Sequence, residues 1–244
     1  MPCALGRTPP QPIHLSPATE LAERVLLPGD PQRALRMAQA LVEAPRMFNT
    51  RRGLWGYTGT APDGDELTIQ ATGMGGPSAA IVVEELLDMG ARVLIRTGTC
   101  GALGPSRELG ALVTVAEVLC ADGTSRALGA GERLRPDAEL TEALRRAGGG
   151  DAVTAVTTDL FYEPRPDVQD EWRRDGASVV EMEAAAVLAV AERRGARAGC
   201  LLLVTDLVGG GGRRRLGQEE LEAGEERLGE VALRALAPAA DSGH

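Results

Sequence analysis

The stretch TGMGGPSAAIVVEELLDMGARVLIRTGTCGA, residues 72–102, decides the fold of this chain. Its first half predicts an amphipathic helix, because small and apolar residues recur at helical spacing: Ala79, Val82, Val83, Leu86 and Gly90. The apolar run at 93–95 then predicts a short buried parallel strand. Arg96 follows, and a second glycine turn is expected at 97–101. A cation, the Thr99 hydroxyl and backbone N–H groups at the carboxyl end of a strand together predict an anion site.

The composition limits the class of protein. The 244 residues suffice for one large α/β domain, and we expect a single domain over 1–244 with loose tails at 1–12 and 237–244. No apolar run approaches the roughly 20 residues that cross a bilayer, and the first residues do not resemble a signal peptide, so we expect a cytoplasmic protein. The net charge of −9 argues against nucleic acids and anionic membranes as partners.

The basic and metal-ligating residues narrow the chemistry further. Every basic residue is an arginine, so any phosphate must be held by arginine forks or backbone N–H groups. The four cysteines show no metal-ligand spacing and the chain has two histidines, which argues against a metal site.

Two more predicted strands end in groups that suit a small-molecule site. Gly29 and Arg33 follow a strand at 23–27, at the start of a helix, and Asp206 follows a strand at 201–204. We expect these groups to meet Arg96 and Thr99 at one edge of the sheet. The alternatives are an ordinary surface ion pair for each arginine and a helix N-cap for Asp206.

The remaining pattern predicts further elements of an α/β fold. Strands are expected at 66–71, 109–120 and 152–158, a hairpin at 48–60, a mobile loop at 209–215, and helices at 137–147, 167–175, 178–195 and 217–236. Glu181 and Glu183 then fall at the start of the 178–195 helix, where carboxylates complement the helix dipole. Glu183 also adjoins the inward face of that helix, where a buried carboxylate could accept two hydroxyls of a ribose.

Seven segments carry a family resemblance: PGDPQR (28–33), RRGLWGYTG (51–59), TGMGGPS (72–78), RTGTCGA (96–102), DLFYEP (159–164), VEMEAAA (180–186) and VTD (204–206). In order and spacing they resemble the hexameric bacterial nucleoside phosphorylases, from His14 to about Leu236. The resemblance implies an α/β fold with a mixed central sheet, partly closed into a barrel and flanked by helices. It also implies a homo-oligomer, a trimer of dimers with sites shared across dimer interfaces.

The resemblance also implies a role for each site residue. It places inorganic phosphate on Gly29, Arg33, Arg96 and Thr99, with Arg52 arriving from a neighbouring subunit. It implies that the nucleoside contacts His14 at the 5′-hydroxyl, Phe161, Val180 and Glu181 near the base, Met182 beneath the ribose, and Glu183 at the 2′- and 3′-hydroxyls. Asp206 would protonate the purine at N7, helped by Arg213, Arg214 or Arg215.

The implied reaction is phosphorolysis of purine ribonucleosides or 2′-deoxyribonucleosides to the base and pentose 1-phosphate, with phosphate as co-substrate and no cofactor. Uridine phosphorylase is the main alternative, but uridine enzymes carry a Gln-x-Arg pattern after the Phe-Tyr element, which is missing after Phe161 and Tyr162. A methylthioadenosine-type nucleosidase would have no need of Arg33, Arg52 and Arg96 together. A non-catalytic nucleoside-binding protein would tolerate loss of Asp206 or the arginines.

Overall fold

The computed structural model describes residues 12–105, 107–208 and 214–237. Its strands are β1 Arg24–Leu27, β2 Glu43–Asn49, β3 Gly56–Thr60, β4 Glu66–Gln70, β5 Val93–Leu103, β6 Leu112–Ala121, β7 Arg133–Leu134, β8 Ala152–Thr158, β9 Val179–Glu181, β10 Arg197–Val208 and β11 Arg214–Arg215. Its helices are α1 Pro31–Leu41, α2 Gly76–Asp88, α3 Gly123–Ala127, α4 Ala138–Arg146, α5 Val168–Arg174, α6 Ala184–Arg194 and α7 Gln218–Leu236, with a 3-10 turn at Arg51–Gly53.

The strands of the described residues form one mixed sheet. Its order is β11-β10-β6-β8-β9-β5-β1-β4-β3-β2, with β7 beside β6. β10 also pairs with β5 in parallel, so β10, β6, β8, β9 and β5 close into a five-stranded barrel within the larger sheet. This confirms the predicted mixed sheet that is partly closed into a barrel.

Helices flank this sheet and bury their apolar faces against it. One core lies beneath α2 and α6, and a second lies beneath α1, α4 and α7. The face of α2 predicted from spacing is buried, since Ala79, Val82, Val83 and Leu86 have no exposed surface. Among the described residues, no helix combines the length and the apolar character that crossing a membrane requires.

The sequence prediction was wrong for two of the five strands that close the barrel. The turn expected at 97–101 is strand, because β5 pairs with β10 along its whole length. The helix expected at 178–195 begins only at Ala184, and Val179–Glu181 forms β9 between β5 and β8. Glycine suits β5 here because neighbouring side chains pack against the strand: a Cβ on Gly101 would lie 2.6 Å from Cγ2 of Val208.

Two other predictions concern the ends of the chain and the glycine–arginine loop. Residues 1–11 and 238–244, which make up nearly all of the predicted loose tails, lie outside the described residues. The predicted mobile loop at 209–215 is corrected at its end, where Arg214–Arg215 forms β11 antiparallel to Asp206 and Leu207. Residues 209–213 lie outside the described part of the chain.

Candidate active site

A cavity of about 740 Å³ opens beside the middle of β5. On the side of β5 away from β10, β1 pairs with β5 as far as Arg96, and β9 pairs with it from Gly101 onward. Neither of these strands pairs with residues 97–100 of β5. The cavity occupies this gap. It brings together most of the site residues predicted from sequence: Gly29, Arg33, Arg52, Arg96, Thr99, Phe161, Val180, Glu181, Met182, Glu183 and Asp206.

Arg96 lies at the centre of a buried ion-pair network. Its Nε and Nη2 atoms lie 2.8 Å from Oε2 of Glu181, and Nη2 also lies 2.5 Å from Oε2 of Glu183. Burial alone would lower the pKa of the Arg96 guanidinium, but the negative charges of Glu183 and Glu181 outweigh burial and raise it. The guanidinium is therefore a fixed positive charge at the floor of the cavity.

Glu181 uses its carboxylate to fix the local backbone. Its Oε2 accepts the N–H groups of Glu183 and Ala184 at 2.9 and 2.8 Å, and its Oε1 accepts the hydroxyl of Thr157. It thus satisfies the first N–H groups of α6 from a position before the helix, instead of from within the first turn as predicted. These contacts of Glu181 are all with protein groups, so this carboxylate positions Arg96 and the start of α6.

Glu183 lines the cavity, and its carboxylate can accept further hydrogen bonds. Its Oε1 accepts the N–H of Gly75 at 2.6 Å, while Oε2 pairs with Arg96. A carboxylate has about four acceptor sites, so each oxygen can still accept a hydroxyl. Burial raises the pKa of Glu183; Arg96 opposes this rise and the charge of Glu181 adds to it. Binding of two hydroxyls would offset part of the cost of keeping this carboxylate charged.

The start of α1 forms the second side of the cavity. Gly29 and Asp30 follow β1, and Oδ1 of Asp30 caps the helix by accepting the N–H of Arg33 at 2.8 Å. Arg33 is 7% exposed, and its Nε donates to Oε1 of Glu225 at 2.7 Å. The helix N-terminus and an arginine therefore face the cavity together, an arrangement that favours an anion.

Gly98 and Thr99 complete the floor along β5. A Cβ on Gly98 would lie 2.7 Å from both Cζ and Nη2 of Arg96, so the guanidinium packs directly on this glycine. Thr99 is the one partly exposed residue between Leu94 and Leu103. Thr99 lines the cavity together with Arg96.

Asp206 lies at an irregularity in β10. The register of β10 against β5 shifts between Val204 and Asp206, a β-bulge of the kind that re-aims a side chain. Asp206 is 5% exposed, and its Oδ2 accepts the Thr205 hydroxyl at 2.9 Å. Nε of Arg215 lies 2.8 Å from Oδ1 of Asp206, because β11 places the two residues opposite each other.

The three arginines proposed as helpers of Asp206 thus differ in position. Arg215 pairs with the carboxylate, although its side chain is 64% exposed and does not line the cavity. Arg214 is exposed and lies opposite Leu207. Arg213 lies outside the described residues.

Aromatic side chains lie at the mouth and wall of the cavity. Phe161 lines it while 47% exposed, with the Tyr162 ring edge-on at a centroid distance of 5.1 Å. Trp172 and Gln169 of α5 also line it, and sequence reasoning missed both. The spacing within α5 is the sequence signal that could have found them. Its buried residues, Val168 and Trp172, are four positions apart on one face, and Gln169 directly follows Val168.

His14 and Arg52 are the two predicted residues whose roles involve a neighbouring subunit. His14 does not line the cavity; its Nδ1 lies 2.7 Å from Oε1 of Glu85, which also accepts N–H groups from Ile13 and His14. Arg52 is exposed, has a left-handed backbone at φ 58°, and lines the cavity of its own chain. A contribution of either residue to a neighbour's site stays a prediction.

Comparison of the sequence with known proteins places this chain in a family. A sequence model of the phosphorylase superfamily matches residues 23–239. A DeoD-type purine nucleoside phosphorylase of Geobacillus kaustophilus is 37% identical over 204 residues, which cover 80% of this chain and 85% of that protein. One of Proteus mirabilis is 34% identical over 226 residues, 89% of this chain and 93% of that protein. A guanosine phosphorylase of Halorubrum lacusprofundi is 36% identical over 200 residues, 80% of this chain and 82% of that protein. The chain belongs to the phosphorylase superfamily.

Proposed function

We propose that this chain catalyses the phosphorolysis of purine nucleosides, releasing the free base and forming pentose 1-phosphate. The observation that carries the proposal is that two buried arginines, a carboxylate with spare acceptor sites and Asp206 line a single cavity. The similar proteins named above are purine nucleoside and guanosine phosphorylases. Uridine phosphorylase, the alternative from the sequence, is therefore not favoured.

In this proposal the phosphate lies between α1 and β5. Gly29 and Arg33 contribute the helix N-terminus and one cation, and Arg96 and Thr99 contribute the second cation and a hydroxyl. Arg52, at the rim, adds a third arginine. Bound phosphate then stabilises the positive charge that develops at C1′ as the glycosidic bond breaks. A nucleosidase, which uses water as nucleophile, would have no need of this set.

The nucleoside lies across the remaining wall. The 2′- and 3′-hydroxyls donate to Glu183, Met182 lies beneath the ribose, and the base packs on Phe161. Val180 and Glu181 lie on the same wall, where Glu181 acts by holding Arg96 and the start of α6.

Asp206 is the general acid. A purine leaves poorly as an anion, so a proton must reach N7 as the bond between C1′ and N9 breaks. Asp206 gives that proton, a phosphate oxygen forms the new bond to C1′, and Arg215 stabilises the carboxylate that remains. Inorganic phosphate is the co-substrate, and the reaction requires no cofactor.

Assembly and location belong to the same proposal. A homo-oligomer, a hexamer built from dimers, would bring His14 and Arg52 to neighbouring sites, and a cytoplasmic location would supply nucleosides and phosphate together. Mass measurement of the protein in solution tests the first, because a monomer with full activity would contradict shared sites.

The reaction is tested by measuring base release from inosine, adenosine and uridine, each with and without phosphate. We expect release from a purine nucleoside only when phosphate is present. Asp206→Asn should lower kcat on that substrate by about 10²- to 10⁴-fold, the usual contribution of a general acid. Asp151→Asn, at a side chain that is 78% exposed, is the matched control and should change nothing. Cleavage without phosphate, or cleavage of uridine in place of purines, would refute the proposal.

A further inference from the structure

A buried carboxylate from the far end of the chain contacts the predicted phosphate site. Glu225 of α7 is 2% exposed and lies outside the lining of the cavity. Its Oε1 accepts Nε of Arg33 at 2.7 Å, and its Oε2 accepts Nε of Arg36 at 3.1 Å as well as Nη2 of Arg36. One carboxylate therefore holds two arginines on successive turns of α1, and the cluster keeps one excess positive charge.

Close packing fixes the position of Glu225. A Cβ on Gly224 would lie 2.8 Å from Cδ2 of Leu203, so α7 approaches β10 as closely as a glycine allows. A Cβ on Gly229 would lie 3.0 Å from Cδ1 of Leu41, so α7 also packs closely on the end of α1. A carboxylate on such a helix cannot shift without moving both neighbours.

The contact selects which edge of the guanidinium faces the cavity. Arginine presents its donors as a rigid fork, and an anion can bind either the edge that includes Nε or the end formed by the two Nη groups. Glu225 occupies Nε of Arg33, while Arg33 itself lines the cavity. The Nη end is left for a bidentate contact with an anion.

We propose that Glu225 is a positioning residue for phosphate binding, which orients Arg33 through Nε and presents its Nη end to the phosphate. This inference rests on the proposed function and deepens it. A purely structural ion pair would stabilise the packing of α1 on α7 without selective influence on either substrate. A positioning residue acts on the KM for phosphate and leaves the KM for the nucleoside nearly unchanged.

The experiment compares Glu225→Gln with Glu226→Gln, an exposed carboxylate one residue further along α7. Gln keeps the volume of Glu and one acceptor oxygen, but it loses the charge that holds Arg33. We expect the phosphate KM of Glu225→Gln to rise on the order of tenfold, as expected when a hydrogen bond to a charged group is weakened. The nucleoside KM should change less than about twofold, and Glu226→Gln should match the wild type in both.

A second variant keeps the inference testable if Glu225→Gln does not fold. Glu225→Asp retains the buried charge but withdraws the carboxylate by one methylene, so it should also raise the phosphate KM selectively. The inference is overturned if the wild type needs phosphate and the folded Glu225 variants show the phosphate KM of Glu226→Gln, or if both KM values rise equally. A wild type that releases base without phosphate would instead refute the proposed function, and that result needs no variant to be seen.

Discussion

Gly98→Ala tests the position of the Arg96 guanidinium without removing any charge. The added Cβ would lie 2.7 Å from Cζ and Nη2 of Arg96, whereas ordinary contacts begin at 3.4 Å, so the guanidinium must retreat by about 0.7 Å. It cannot retreat freely, because Glu181 and Glu183 hold it at 2.8 and 2.5 Å. Replacement of Arg96 itself would be a poorer test, since it leaves two buried carboxylates without their cation and costs about 3–5 kcal/mol.

The expected effect of Gly98→Ala has a stability part and a functional part. Overpacking of a well-packed site costs about 1–3 kcal/mol. For a chain of this length each kcal/mol lowers Tm by about 2–4 °C, so we expect a drop of about 2–12 °C. Because phosphate must meet a displaced Arg96, its KM should rise about 10- to 100-fold, the effect of a misplacement near 1 Å.

Thermal unfolding and phosphate-dependent release of base from a purine nucleoside measure the two parts. Gly131→Ala is the matched control, because a Cβ there would lie 4.0 Å from the nearest atom, the carbonyl oxygen of Arg133. If Gly98→Ala unfolds within a degree of Gly131→Ala and keeps the wild-type phosphate KM, then Arg96 does not pack on Gly98 and the described floor of the cavity is wrong.

Two further predictions concern Arg215, which pairs with Asp206, and Glu85, which pairs with His14 outside the cavity. Arg215→Met should lower kcat by about 10- to 100-fold, as expected for loss of a hydrogen bond between charged groups. Arg214→Met is the control and should leave kcat unchanged. Equal kcat values for the two variants in a steady-state assay would show that Arg215 has no role in the reaction. Burial would raise the pKa of Glu85, but backbone N–H groups, Leu15 and His14 foremost, outweigh burial and lower it. The free energy of unfolding should therefore contain a contribution from Glu85 that is present above about pH 4.3, its ordinary pKa, and is lost as the pH falls through the lowered pKa. Glu85→Gln should flatten this part of the curve in chemical denaturation, and an unchanged slope would contradict it.

Several helices and strands could be predicted because their patterns are local. The residues of α2 buried against the sheet follow helical spacing, and β8 was predicted with its observed bounds. By contrast, the glycines of β5 indicated a turn and the small apolar residues before α6 indicated an earlier helix start. Their strand conformation depends on partners that are distant in sequence, and such partners often override intrinsic preference.

The site could be predicted where strand ends and the family resemblance coincide, and it was missed where contacts come from distant helices. Arg33, Arg96 and Asp206 follow predicted strands, and the structure brings them to one cavity. Glu225 was missed because its partner lies 192 residues away. A signal was present, since Glu225 lies three residues before the buried Leu228 on the apolar face of α7, where an acidic residue needs a partner.

Because of the gap along β5, hydrogen exchange at individual backbone amides should report anion binding. Amides of β5 that are paired with β10 belong to the closed barrel, so we expect them to exchange hydrogen only through large openings. At residues 97–100, any N–H group directed to the other side meets the cavity, because β1 has ended and β9 has not begun. In the proposed function, a phosphate bound there would take the place of a neighbouring strand, and its oxygens would accept those N–H groups. Such binding would complete the hydrogen bonding of this section of β5, so we expect its amides to slow in exchange when phosphate alone is added.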